Sequence, residues 1–213
     1  MLRQRKIKNI DQKLATHTKY LVESPMENRG KWNRVFNNEN PIYAEFGCGR
    51  GQFIIKKASL DPDSNYIGFE SRGSIIIRAL EKAIIADKNN TLFVNENVID
   101  VNEYFDQGEL AGIYLNFSDP WPKKGYAKRR LTHRRFLEGY KKALRPGGYI
   151  EFKTDNIDLF AFTLDECRES NLNIIEVTDD LHSTDLDARL VTTEYEDKFH
   201  LWGKKISYLK IQV

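Results

Sequence analysis

The sequence predicts an α/β fold built on a mostly parallel, seven-stranded sheet with helices on both faces. Three observations lead there. From Pro41 onward, short apolar runs alternate with amphipathic stretches, the pattern of strand–helix–strand crossovers. A glycine-rich loop, Gly47-Cys-Gly-Arg-Gly51, stands between the first strand and the first helix. Carboxylates then close two of the strands, Glu70 the second and Asp119 the fourth.

Residues 1–40 are polar and basic and read as an arm with a short helix, outside a single domain over residues 41–213. Ile42 to Phe46 reads as a strand, Gln52 to Leu60 as a helix and Tyr66 to Phe69 as a second strand. Ser74 to Ala86 is helical, because Ile75, Ile76, Ala79, Leu80 and Ala83 recur at helical spacing. Thr91 to Val94 and Ile113 to Phe117 are the third and fourth strands. Arg134 to Leu144 is a helix with Phe136, Leu137, Tyr140, Ala143 and Leu144 on one face, stopped by Arg145-Pro-Gly-Gly148. Tyr149 to Phe152 is a fifth strand and Leu159 to Glu169 a helix. Leu172 to Val177 and Ile206 to Val213 close the sheet.

A chain of 213 residues suits one α/β unit with a good core. With 40% hydrophobic and 30% charged residues it is globular in composition. No apolar run nears the roughly 20 residues that span a bilayer, and the first residues lack the apolar core of a signal peptide. Cys48 and Cys167 form no CxxC pair, and His17, His133, His182 and His200 are scattered, so no metal site is expected. A reducing, cytoplasmic setting is expected. Monomer and homodimer both stay open.

The net charge of +2 conceals an asymmetry. Residues 1–40 carry +5 and residues 121–145 carry +9, which leaves −12 on the remainder. Ten cations against one acid in 25 residues is too lopsided for salt-bridge lacing and points to a polyanion footprint.

The motifs give that footprint a chemistry. Pro120 and Pro122 bracket Trp121, end the fourth strand and stiffen the residues after it. Asp119 and Trp121 thus sit on a rigid corner at a carboxyl strand end, where open α/β sheets bind ligands. The glycine loop misses the dinucleotide pattern, since Gln52 stands at its third glycine. The remaining acid followed by alternate glycines, Glu45, Gly47, Gly49 and Gly51, resembles the first motif of S-adenosylmethionine (SAM) methyltransferases. Glu70 lies 19 residues beyond Gly51, where an acid can accept from both ribose hydroxyls. Asn97, after the third strand, would lie near an adenine.

Leu115-Asn-Phe-Ser-Asp-Pro-Trp-Pro-Lys-Lys124 with Lys128-Arg-Arg-Leu131, then Phe152-Lys-Thr-Asp-Asn156, then Thr193-Glu-Tyr-Glu196 with Phe199, together resemble the tRNA (guanine-N7-)-methyltransferase family of the bacterial single-chain type. The likeness covers nearly all of residues 30–200. It implies a Rossmann-like SAM methyltransferase fold and methylation of a variable-loop guanosine in tRNA. It implies that Glu45, Glu70, Asn97 and Asp119 line the SAM site, and that Lys123, Asp155, Thr193, Glu194, Tyr195 and Glu196 line the substrate site. Asp119 is then the catalytic, positioning carboxylate. Lys128, Arg129, Arg130, Arg134 and Arg135 read as a basic helix that tracks phosphates, with Lys124 a further phosphate contact. Asp155 and Glu196 are both candidates to grip the guanine edge. Two departures stand out: Asn97 replaces a common Asp, and Gly125-Tyr126 replaces basic or His residues. An amino-methylating nucleobase enzyme, or a non-catalytic RNA-binding subunit, are the alternative readings.

Overall fold

The computed structural model describes residue 14 and residues 16–213. Its sheet runs β1 (Ile42–Phe46), β2 (Asn65–Phe69), β3 (Thr91–Val94), β4 (Leu110–Asn116), β5 (Leu144–Thr154), β6 (Asn173–Thr178) and β7 (Ser207–Gln212). Their order across the sheet is β3-β2-β1-β4-β5-β7-β6. The first five strands are parallel; β7 runs antiparallel to both β5 and β6. Strand order reverses between β1 and β4, so a crevice opens above their carboxyl ends.

Period-two alternation divides the core between the two faces. Ile42, Ala44 and Phe46 of β1 face one cluster, with Ile150 and Phe152 of β5. That face is covered by α1 (Trp32–Phe36), α4 (Arg134–Ala143) and α5 (Ile157–Glu169). Tyr66 and Tyr114 face the other way, under α2 (Gln52–Leu60) and α3 (Gly73–Ala86). There Tyr43 stacks on Tyr66 at 5.4 Å and on Tyr114 at 6.0 Å. Gly112 makes the room, because a Cβ there would meet the Tyr43 ring at 2.7 Å. A sixth helix, α6 (Glu194–Leu201), precedes β7.

The expected arm divides. Residues 1–13 and Ala15 lie outside the described residues. Beyond them, Tyr20, Trp32 and Phe36 are buried in the common core. Trp32 donates its indole N–H to the Tyr104 carbonyl at 2.8 Å, and Leu21 bridges to Phe93 of β3. Trp32 is fully buried, but its polar neighbours hid it from periodicity. The helix expected to reach Leu144 stops at Ala143, and β5 begins at once and five residues ahead of its expected start.

Candidate functional site: a cleft above β1 and β4

Parallel strands deliver their ends to one edge. Gly47 after β1, Glu70 after β2, Asn97 after β3 and Asp119 after β4 all line a cleft of about 580 Å³, with Trp121 beside them. Phe46, Phe69, Val98 and Phe136 supply its apolar walls. The volume and the mix of apolar wall with a few acids suit a nucleoside-sized ligand.

At the carboxyl ends of β1 and β4 lies an unsatisfied polar cluster. Glu45 is 1% exposed. Its Oε1 accepts from the Asn116 amide at 2.8 Å. Its Oε2, Asn116 Oδ1 and Ser118 Oγ are buried without a hydrogen-bond partner. Burial pushes the Glu45 carboxyl up to about 8, against the opposing bond from Asn116. Buried polar atoms are almost always paired, so three orphans at two adjacent strand ends mark a place where a ligand completes the set. Gly47 and Gly49 have φ of 85° and 57°, and a Cβ on either would meet nothing within 4 Å. They form an open cradle beside that cluster. This donor set fits the amino-acid end of SAM.

Gly51 has a packing role as well. A Cβ there would lie 2.7 Å from the Ala79 Cβ, so its smallness serves the packing of α2 against α3. It performs one residue early the service that a third glycine performs in dinucleotide folds. Glu70 accepts at Oε1 from the Arg72 backbone N–H at 2.8 Å, which fixes the carboxylate at the mouth of the cleft. Asn97 is exposed on the lining.

The Asp119 corner is strained. Phe117 and Trp121 have φ of +52° and +41°, and non-glycine residues in that region cost on the order of 1–3 kcal/mol each. Asp119 itself is exposed between them. Arg129 lies over Trp121 and Tyr126, 4.9 Å and 4.7 Å from the ring centroids. Trp121 is thus both a packed residue and part of the cleft lining.

The basic segment needs three corrections. Residues 128–135 are not one helix: a 3₁₀ turn covers Lys124–Arg129, and α4 begins only at Arg134. The Arg130 guanidinium bonds the carbonyls of Pro120 and Trp121 and lies 4.3 Å from the Phe162 centroid, so it braces the corner. Arg134 is engaged by Glu166 of α5, Nη2 to Oε1 2.9 Å. Lys123, Lys124, Lys128 and Arg129 remain exposed, and the last two line the cleft mouth.

The expected substrate set also sorts itself. Asp155 meets the Tyr195 hydroxyl at 3.3 Å and Lys204 Nζ at 3.4 Å. Tyr195 packs against Phe117 at 4.9 Å, which ties α6 to the Asp119 corner. Thr193 caps α6 by accepting from the Glu196 N–H at 3.0 Å. Glu194 pairs with Lys82 of α3. Glu196 is the correction here. It is fully buried, 3.1 Å from Lys153 Nζ and 3.0 Å from His182 Nε2, and so is withdrawn from any guanine edge. Asp155 is the less buried of the two carboxylates, with a side chain 17% exposed. Sequence reasoning missed Asn116, whose signal was a lone amide at the end of an apolar run. Among the described residues no group of three His, Cys, Asp or Glu side chains gathers as a metal site, and no helix is long and apolar enough to cross a membrane.

Solved structures agree on the architecture. A 16S rRNA methyltransferase, KamB, matches with a TM-score of 0.64 at 11% identity, covering 86% of this chain and 93% of that one. An antibiotic-related methyltransferase matches with a TM-score of 0.62 at 17% identity, covering 86% and 92%. Sheet order and cleft therefore define a Rossmann-like methyltransferase fold. The family model described as "Putative methyltransferase" matches residues 39–209. The tRNA (guanine-N(7)-)-methyltransferase of Clostridioides difficile (strain 630) is 44% identical over 206 residues, 96% of either chain. That of Bacillus subtilis (strain 168) is 41% identical over 202 residues, 95% of this chain and 94% of its own. The chain belongs to the tRNA (guanine-N(7)-)-methyltransferase family.

Proposed function

We propose that this enzyme transfers a methyl group from SAM to N7 of a variable-loop guanosine in tRNA, in the cytoplasm. One observation supports the reading: Ser118, one of three unsatisfied polar groups at the ends of β1 and β4, lines the same cleft as the exposed carboxylate Asp119 and the basic residues Lys128 and Arg129. Glu45, Asn116, Gly47 and Gly49 would hold the amino-acid end, Glu70 the ribose and Asn97 the adenine. Bound SAM supplies an electrophilic sulfonium methyl.

Guanine N7 carries a lone pair and no proton, so no residue has to act as a base toward it. The protein's contribution is orientation, which in well-aligned pairs is worth on the order of 7–11 kcal/mol. Asp119 is the positioning carboxylate where cofactor and base meet. Asp155 presents a carboxylate to the two donors of the guanine edge, N1–H and the amino group. Tyr195 orients it, and Lys123 and Lys124 reach toward phosphate.

Incubation of unmodified tRNA with methyl-labelled SAM, followed by mapping of the product, tests this. The expected label sits on a cationic, base-labile 7-methylguanine. A neutral methylamino base would hand the site to the amino-methylating reading. Asp119→Ala should lower turnover by at least about 100-fold without moving the unfolding midpoint. Turnover near wild type in that variant would remove Asp119 from the mechanism.

A further inference from the structure

Helix α6 is turned inside out. The residue it buries is an acid, Glu196, paired with Lys153 and with His182 Nε2 3.0 Å away. Tyr195, Phe199 and, just past the helix C-terminus, Trp202, at i, i+4 and i+7, lie on its outer side, with Phe199 half-buried between the other two. Tyr195 is 42% exposed, Trp202 63% and neighbouring Leu201 84%. A contiguous exposed apolar face of this kind marks an interaction surface.

The rings form a continuous track that starts at the reaction corner. Phe117 meets Tyr195 at 4.9 Å, Tyr195 stacks on Phe199 at 4.1 Å, and Phe199 meets Trp202 edge-on at 5.3 Å. Cations accompany it: Lys204 Nζ lies 4.4 Å from the Phe199 centroid and Lys198 Nζ 4.7 Å from that of Trp202. Residues 198–205 contain three lysines and no acid. Aromatic faces in a cationic groove are what unpaired nucleotides stack on, whereas duplex bases keep their faces to themselves.

We propose that Phe199 and Trp202, with Lys198 and Lys204, form a stacking platform for unpaired RNA nucleotides flanking the target guanosine. The proposal rests on the tRNA-methylating reading above and extends its substrate contact beyond Tyr195. Trp202 carries no contact that the core needs, so its replacement leaves the fold intact.

Trp202→Ala should raise Kd and KM for tRNA roughly tenfold, the value of about one stacked base. Its kcat at saturating tRNA, its affinity for SAM and its unfolding midpoint should stay at wild-type values. Trp202→Phe should recover most of the affinity. The salt slope of tRNA binding should be unchanged in Trp202→Ala and shallower by about one in Lys198→Ala. A short unpaired oligoribonucleotide should compete with tRNA for the wild-type protein and lose that ability in Trp202→Ala, whereas a blunt RNA duplex should not compete. Wild-type tRNA affinity and KM in Trp202→Ala would overturn the platform. Unchanged affinity with a dimer lost on light scattering would give the face to a second copy and overturn it equally. Absence of methylation by the wild-type chain would sink the functional reading instead, with the oligoribonucleotide competition still scoring the platform.

Discussion

Arg130 holds the Asp119 corner by its backbone: its Nε donates to the Pro120 carbonyl oxygen at 2.9 Å, and Nη2 donates to the Trp121 carbonyl at 3.1 Å. The fork spans two adjacent peptides of a turn whose Trp121 sits at positive φ. A strained turn persists only where its surroundings over-determine it. Arg130 is part of that constraint, and its own position is fixed by contact with Phe162.

Arg130→Lys should therefore behave as a loss, because a lysine cannot reproduce a two-pronged fork. A misplacement of about 1 Å at a reacting centre is enough to cost on the order of 100-fold in rate. The single-turnover rate at saturating tRNA should fall roughly 10- to 100-fold, while the salt slope of tRNA binding stays where it was. A wild-type rate with a shallower salt slope would return Arg130 to the phosphate contacts.

Lys153 and Glu196 predict a stability effect. Their side chains are 1% and 0% exposed and 3.1 Å apart. Lys153 Nζ also donates to the Ala188 and Val191 carbonyls. Burial lowers the Lys153 pKa and Glu196 opposes it. Removing one partner leaves a buried charge alone, at a cost of about 3–5 kcal/mol. Glu196→Ala should lose that much in denaturant unfolding, and Lys153→Met combined with Glu196→Leu should lose distinctly less. Equal losses in the single and double variants would deny the coupling.

What the chain discloses about itself depends on distance along it. The strands are legible because parallel strands buried on both faces read as apolar runs, as from Ile113 to Leu115. Glu70 and Asp119 are legible because turn residues end their strands beside them. The outcome for Glu196 and Arg134 is not, since their partners Lys153 and Glu166 stand 43 and 32 residues away. An acid meant for a base and an acid meant for a buried lysine look alike in one dimension. The reversed face of α6 is hidden likewise, because Tyr195, Phe199 and Trp202 carry the spacing of an ordinary core stripe.

Glu45 gives the protein a pH dependence. Its carboxyl rises from an ordinary value of 4.5 to about 8 because burial disfavours the charged form. Between those values the folded state keeps a proton that the unfolded chain has released. Its contribution is thus fully present below about 4.5, declines as pH rises, and is gone above about 8. The total is on the order of a few kcal/mol. Urea unfolding of the ligand-free protein from pH 5 to 9 should record that decline, and Glu45→Gln should flatten it. Binding of the cationic SAM beside Glu45 would favour the carboxylate, so calorimetry near pH 7 in two buffers should detect proton release in the wild type alone. Matching pH profiles in the two proteins would refute the role.

The exposed cations of the basic loop are expected to set the salt dependence of RNA binding. Arg134 is bound to Glu166 and Arg130 to the corner backbone, which leaves Lys123, Lys124, Lys128 and Arg129 as the exposed cations of the loop. Each phosphate neutralised contributes roughly −0.7 to −0.9 to the slope of log affinity against log salt. The loop should then account for a slope of about −3 to −4. Lys124→Ala and Lys128→Ala should each make the measured slope shallower by nearly one. Arg134→Ala should leave it unchanged and instead lower stability through the loss of Glu166's partner. A drop of a full unit in Arg134→Ala would mean that this arginine leaves Glu166 for the RNA, and that the footprint extends onto α4.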